Sequence, residues 1–154
     1  MPLGSRATGP DKTSRPMRQG RVLLADSHLP MLQGVRSLLE SLFAAVVMVA
    51  DEGSLLETIE RLDPDVVVVD LSMPVQEGTN VARQLMGRFP GLRLIALSVH
   101  DDPTVATQLC SLGVAGFVLK RTAATDLIPA VTAVLGGGWY VSPAVSESAS
   151  TQRH

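Results

Sequence analysis

Between residues 21 and 141 the chain alternates between two hydrophobic periods. Five short apolar runs, RVLLA (21–25), AVVMVAD (45–51), DVVVVD (65–70), LRLIALS (92–98) and GFVLK (116–120), are dominated by Val, Leu and Ile. Runs of this length and composition predict strands covered on both faces. The segments between them carry apolar residues at helical spacing instead. In LPMLQGVRSLLESLF (29–43), Leu32, Val35, Leu38, Leu39 and Leu42 share one stripe. SLLETIERL (54–62) predicts a short helix with Ser54 as its cap. NVARQLMGRF (80–89) is closed by Pro90-Gly91, and PTVATQLCSLG (103–113) starts on proline and ends on glycine, the expected asymmetry. The last helical stretch is TDLIPAVTAVLGGG (125–138). With Thr125 as N-cap, Pro129 falls at the fourth helical position, where the ladder needs no N–H.

Strands alternating with helices predict an α/β fold, a doubly wound parallel sheet with right-handed crossovers. The ordered domain is expected over residues 20–141. Residues 1–19 hold Pro, Gly, Ser and charge without apolar period and are expected to be a disordered tail, their opening PLGS resembling a cloning scar. The Ser-rich stretch 142–154 is expected to be a linker or tail leading toward an output domain absent from this chain.

Composition narrows the function classes. Of 154 residues, 45% are hydrophobic but only 3% aromatic, so the core is aliphatic. A net charge of -2 supplies no general attraction to nucleic acid. No apolar run approaches the roughly 18 residues of a membrane span, and the N-terminus lacks the apolar centre of a secretory signal. The single cysteine, Cys110, forms no internal disulfide, which fits a cytoplasmic location. Its simplest role is a small buried apolar residue.

Candidate chemistry lies at the strand ends. An isolated carboxylate is costly to bury, yet the four valines of the third strand run straight into Asp70. Asp26-Ser27 follows the first strand, Ser98 ends the fourth and Lys120 the fifth. In an open parallel sheet, ligands sit outside the carboxyl ends of the strands, where the strand order reverses. Two carboxylates, a hydroxyl and an ammonium are therefore expected at one sheet edge. His28 and His100 are read as solvated loop residues, Asp101 and Asp102 as caps of the following helix, and Trp139 and Tyr140 as packing where the last helix leaves the domain.

RVLLADSHLP, DVVVVDLSMPVQEG, LIALSVHDD and GVAGFVLK together resemble the receiver domain of bacterial response regulators. The ending AVLGGGWYVSP resembles receivers that precede a LuxR-type (NarL/FixJ-like) helix-turn-helix. The resemblance implies a flavodoxin-like five-stranded sheet of order 2-1-3-4-5 with five helices. It implies that Asp70 accepts a phosphoryl group from a sensor histidine kinase. Asp26, Asp70 and the Ser72 backbone carbonyl would hold Mg²⁺. Lys120 would pair with phosphoryl oxygens, Ser98 would bond one of them, and Phe117 would change rotamer as Ser98 moves. Implied partners are the kinase, a second copy in a homodimer, and DNA through the output domain only. No enzymatic activity is expected beyond phosphotransfer to Asp70 and its reversal.

One position departs from the pattern. Such receivers carry two acids after the first strand, and here the second is Ser27. A hydroxyl in place of a carboxylate removes a charge from a site for a hard cation, so weaker Mg²⁺ binding is expected, with Ser27 a doubtful ligand. With one acid fewer, Asp70 is expected to rest in an ion pair with Lys120. The departure leaves a second reading open, a phosphorylation-independent pseudo-receiver that dimerises or binds a partner. An aspartate-nucleophile hydrolase is disfavoured, because Ser72 stands where those enzymes resemble D-x-D.

Overall fold

The computed structural model describes residues 20–26, 29–75 and 80–145. The expected N-terminal tail, Ser27, His28 and residues 146–154 lie outside them.

The alternation of periods produces a single parallel sheet. Its strands are β1 (Arg21–Ala25), β2 (Ala45–Val49), β3 (Val66–Asp70), β4 (Leu94–Ser98), β5 (Gly116–Leu119) and β6 (Tyr140–Val141), in the order β2-β1-β3-β4-β5-β6. The first five positions are the expected 2-1-3-4-5. The two-residue β6 corrects the expectation of five strands. It adds parallel to β5, with Gly116 opposite Tyr140 and Phe117 opposite Val141.

Among the described residues, the faces are covered by α1 (Leu29–Glu40), α2 (Glu52–Leu62), α3 (Val81–Arg88), α4 (Pro103–Ser111) and α5 (Ala123–Leu135). Strand residues alternate between the two faces. Leu23, Val67, Val69, Ala96 and Phe117 pack with Leu55, Ile59, Leu85 and Leu109 on the α2, α3 and α4 side. Val22, Leu24, Val66, Val68, Ile95 and Val118 pack with Leu39, Leu127, Val131 and Val134 on the α1 and α5 side. Every residue of β3 is buried, as expected for a central strand with helices on both sides.

Local chemistry moved three boundaries. Helix α2 begins two residues before Ser54 because Asp51 is its N-cap, in extended conformation, with Oδ1 accepting the Ser54 N–H at 2.8 Å. A carboxylate is the stronger acceptor and carries the charge that the helix N-terminus favours. Helix α5 starts at Ala123, so Pro129 is inside it and not at the fourth position as expected. Pro129 and Thr125 are both exposed, so the ladder bond that proline omits lies on the outer side of the helix. The packed unit also runs past residue 141, since Ser142 and Val145 are buried.

Two side-chain expectations fail. Cys110 is exposed rather than buried, because it falls on the outer face of α4 while Ala106 and Leu109 face the core. Trp139 is 70% exposed, and of the pair only Tyr140 packs, half-buried in β6.

Candidate functional site

Strand register brings the candidate residues together. Ala25 pairs with Val69, so Asp26 lies one step beyond, beside Asp70. Asp70 pairs with Leu97 and Ser98 with Leu119, which brings Lys120 to the same edge. The edge lies where β1 and β3 diverge toward α1 and α3, the crevice of the doubly wound fold.

The two carboxylates are essentially inaccessible, and Lys120 joins them. Its Nζ lies 2.6 Å from Asp70 Oδ2 and 3.3 Å from Asp26 Oδ2. The side chain of Lys120 is 8% exposed, against 0% for Asp26 and 1% for Asp70. An ion pair this deep is supported by low dielectric and by further hydrogen bonds. Ser72 supplies them: its N–H donates to Asp70 Oδ1 at 3.0 Å, and its hydroxyl reaches Oδ1 at 2.8 Å and Oδ2 at 2.9 Å. Burial pushes the Asp70 carboxyl up. The Lys120 ammonium, the Ser72 N–H, the Asp26 side chain and the Ser72 hydroxyl outweigh it, so the carboxyl lies below its ordinary value of 3.8. This resolves why a water-seeking residue ends a buried strand: the partners arrive from β1, β5 and the turn after β3.

The remaining candidates surround this centre. Ser98 is buried, its hydroxyl donating to the His100 carbonyl at 2.8 Å and accepting the His100 N–H at 3.0 Å. It is thus engaged with its own loop. Phe117 is 1% exposed within the core on the α4 side. Asp102 caps α4 as expected, accepting the Thr104 N–H. Asp101 instead pairs with Arg121 at 3.1 Å, tying the loop after β4 to the turn after β5. His100 is exposed, as expected.

Sequence reasoning missed a second polar centre beside the first. Asp126, on α5, is 7% exposed. Its Oδ2 accepts from Thr122 Oγ1 at 2.5 Å and Ser142 Oγ at 2.7 Å, and its Oδ1 from Tyr140 Oη at 3.2 Å. A signal was available: Asp126 shares the helix face of Leu127 and Ala130, where an acid requires partners.

The donor set suits a hard cation. Asp26 and Asp70 offer carboxylate oxygens, and Mg²⁺ is commonly bound through one or two carboxylates with waters and phosphate completing the shell. Among the described residues no cluster of three or more His, Cys, Asp or Glu side chains is present.

Comparisons with known proteins agree with this architecture. A family model for the response regulator receiver domain matches residues 22–132. The transcriptional regulatory protein DegU of Brevibacillus brevis is 33% identical over 130 residues, covering 83% of this chain and 55% of DegU. RcsB of Escherichia coli K12 is 31% identical over 135 residues, 84% of this chain and 62% of RcsB. The chain thus spans just over half to under two thirds of these regulators. Among solved structures, RcsB of Salmonella typhimurium superposes with a TM-score of 0.76 at 30% identity, over 85% of this chain and 67% of that one. A LuxR-family response regulator from Aurantimonas superposes with a TM-score of 0.77 at 26% identity, over 88% and 98%. The parallel sheet with its polar carboxyl edge is that of a response regulator receiver domain, the family to which this chain belongs, and its relatives are the RcsB- and DegU-type transcriptional regulators.

Proposed function

We propose that this receiver is a phosphorylation switch: Asp70 takes a phosphoryl group from the phosphohistidine of a sensor kinase, and the modified state controls a DNA-binding output. The carrying observation is the Lys120 ammonium 2.6 Å from Asp70 Oδ2 inside a buried carboxylate pair. Phosphoryl transfer needs positioning and charge neutralisation more than covalent help, and Lys120 supplies a fixed cation where the new oxygens arrive. The P–N bond of the donor breaks as the bond from an Asp70 oxygen to phosphorus forms. The Ser72 donors steady the carboxylate, and the Ser98 hydroxyl has a neighbouring loop bond to exchange for a phosphoryl oxygen.

Asp26, Asp70 and the Ser72 carbonyl would hold Mg²⁺. When bound, it supplies further neutralisation of the transferring group. Ser27 contributes a hydroxyl in place of a second acid, and weakened Mg²⁺ affinity is part of this reading. The output acts in a cytoplasmic, dimeric regulator. Solved structures of RcsB include a DNA complex and one with two dimers on two parallel DNAs, which supports extending dimerisation and a DNA-binding output to this receiver's parent regulator.

The test is incubation with acetyl phosphate across a Mg²⁺ series, read by intact mass spectrometry. A phosphoryl-mass adduct, lost in Asp70→Asn, is expected, with a Mg²⁺ midpoint that falls in Ser27→Asp. No adduct at any Mg²⁺ concentration would instead favour the phosphorylation-independent interaction module.

A further inference from the structure

Lys120 is not aimed by its strand alone. It opens a single 3-10 turn, Lys120–Thr122, between β5 and α5. The turn's own closing bond runs from the Ala123 N–H to the Lys120 carbonyl. On the strand side, the residue before Lys120 is held from outside. The Leu119 N–H donates to Ser142 Oγ at 3.1 Å, where the hydroxyl continues the ladder begun by Tyr140 N–H to Ala115 O and Ser142 N–H to Phe117 O. That same hydroxyl donates to Asp126. On the helix side, Thr122 ends the turn and its hydroxyl also donates to Asp126. Both flanks of Lys120 therefore end on one carboxylate. Tyr140, on β6, ends there as well.

We propose that Asp126 is a positioning residue: by gathering Thr122, Ser142 and Tyr140 it fixes the turn that aims Lys120 at Asp26 and Asp70, and it makes the β6 segment respond to what occupies that site. The second half rests on the reading of Asp70 as a phosphoryl acceptor. The physical reason is economy of bonds. A shift of the Lys120 backbone when the site is filled moves Leu119 or Thr122, and either movement strains hydrogen bonds that also hold β6. The segment 140–142 is thereby a part of the site's frame.

The sequence holds two lysines, Lys12 and Lys120, so lysine labelled with ¹³C at Cε gives an uncrowded NMR spectrum of the whole chain. Thr122→Val keeps the shape and removes the hydroxyl, Thr122→Ser restores it, and Ser142→Ala removes the second arm. Without ligand, Thr122→Val and Ser142→Ala are expected to loosen the Lys120 Cε group while Thr122→Ser does not. Unchanged Lys120 order in both loss variants overturns the positioning role, with no appeal to phosphorylation. Beryllium fluoride with Mg²⁺, as a phosphoryl mimic, is then added and backbone amide exchange is followed. The Leu119, Tyr140 and Ser142 amides are expected to change by about tenfold, on the scale of one hydrogen bond. In Thr122→Val that response is lost while His100 still responds. A wild-type response at His100 but not at β6 overturns the coupling and leaves the Asp70 reading standing. No response at either place overturns both.

Discussion

Replacing Lys120 with Met, a side chain of similar length without charge, would leave two buried carboxylates facing each other. Removing one partner of a buried ion pair costs about 3–5 kcal/mol. The Ser72 N–H and hydroxyl remain on Asp70 and one carboxyl can take up a proton, so the lower end, about 3 kcal/mol, is expected. For a domain of this size that lowers the melting temperature by roughly 10 °C. The assay is thermal unfolding followed by circular dichroism, in EDTA, at several pH values. In the wild type the Asp70 carboxyl is held below 3.8, so its ionised form stabilises the fold above that pH. This contribution disappears as pH falls through the lowered folded value. In the variant, burial is no longer outweighed and the carboxyl rises. Its stability therefore falls as pH increases through that raised value. The deficit is expected to be large at pH 7 and to shrink toward about pH 3. A variant that melts above the wild type at pH 7, or a deficit independent of pH, would refute the idea that Lys120 neutralises this site.

Three further outcomes are expected. Asp51→Ala should cost about 1 kcal/mol of stability through loss of the α2 cap, and Ser54→Ala, which leaves the Ser54 N–H bond to Asp51 intact, only a fraction of that in urea melts. Gly116→Ala would place a Cβ 2.8 Å from Ile95 Cγ1 across the β4–β5 pair, and the overpacking should cost about 1–3 kcal/mol by the same measurement. Tyr140 is pushed above its ordinary value of 10.0 by burial and then by the Asp126 charge and hydrogen bond. Its contribution to stability should therefore be complete below pH 10 and lost as pH rises through the folded value. Tyr140→Phe should flatten that alkaline decline in pH-dependent melts.

The order of elements was legible because hydrophobic period is a local property. DVVVVD reads as a doubly covered strand whatever surrounds it, and the residues after each strand necessarily fall at one edge of a parallel sheet. For that reason the sequence alone places Asp26, Asp70, Ser98 and Lys120 at one edge. Their pairing was not local: the 2.6 Å contact joins residues fifty positions apart and depends on sheet register. Likewise, Asp51 rather than Ser54 caps α2 because two acceptors competed for one helix end. Cys110 is exposed because of the rotation of α4 about its axis, which a single apolar residue does not determine.

The C-terminal segment shows the division most plainly. GGGWYVSP carries no strand signal in the sequence, because two residues are too short for one. Tyr140 and Val141 form β6 because β5 offers an open edge, and the buried Ser142 donates to the buried carboxylate of Asp126, sixteen residues earlier. The sequence by itself determined the fold class and the edge where the chemistry gathers, since both follow from periodicity and strand ends. Only the tertiary structure decided which charges neutralise each other and which strand joins the sheet last. Those outcomes depend on burial, and burial is a property of the assembled layers.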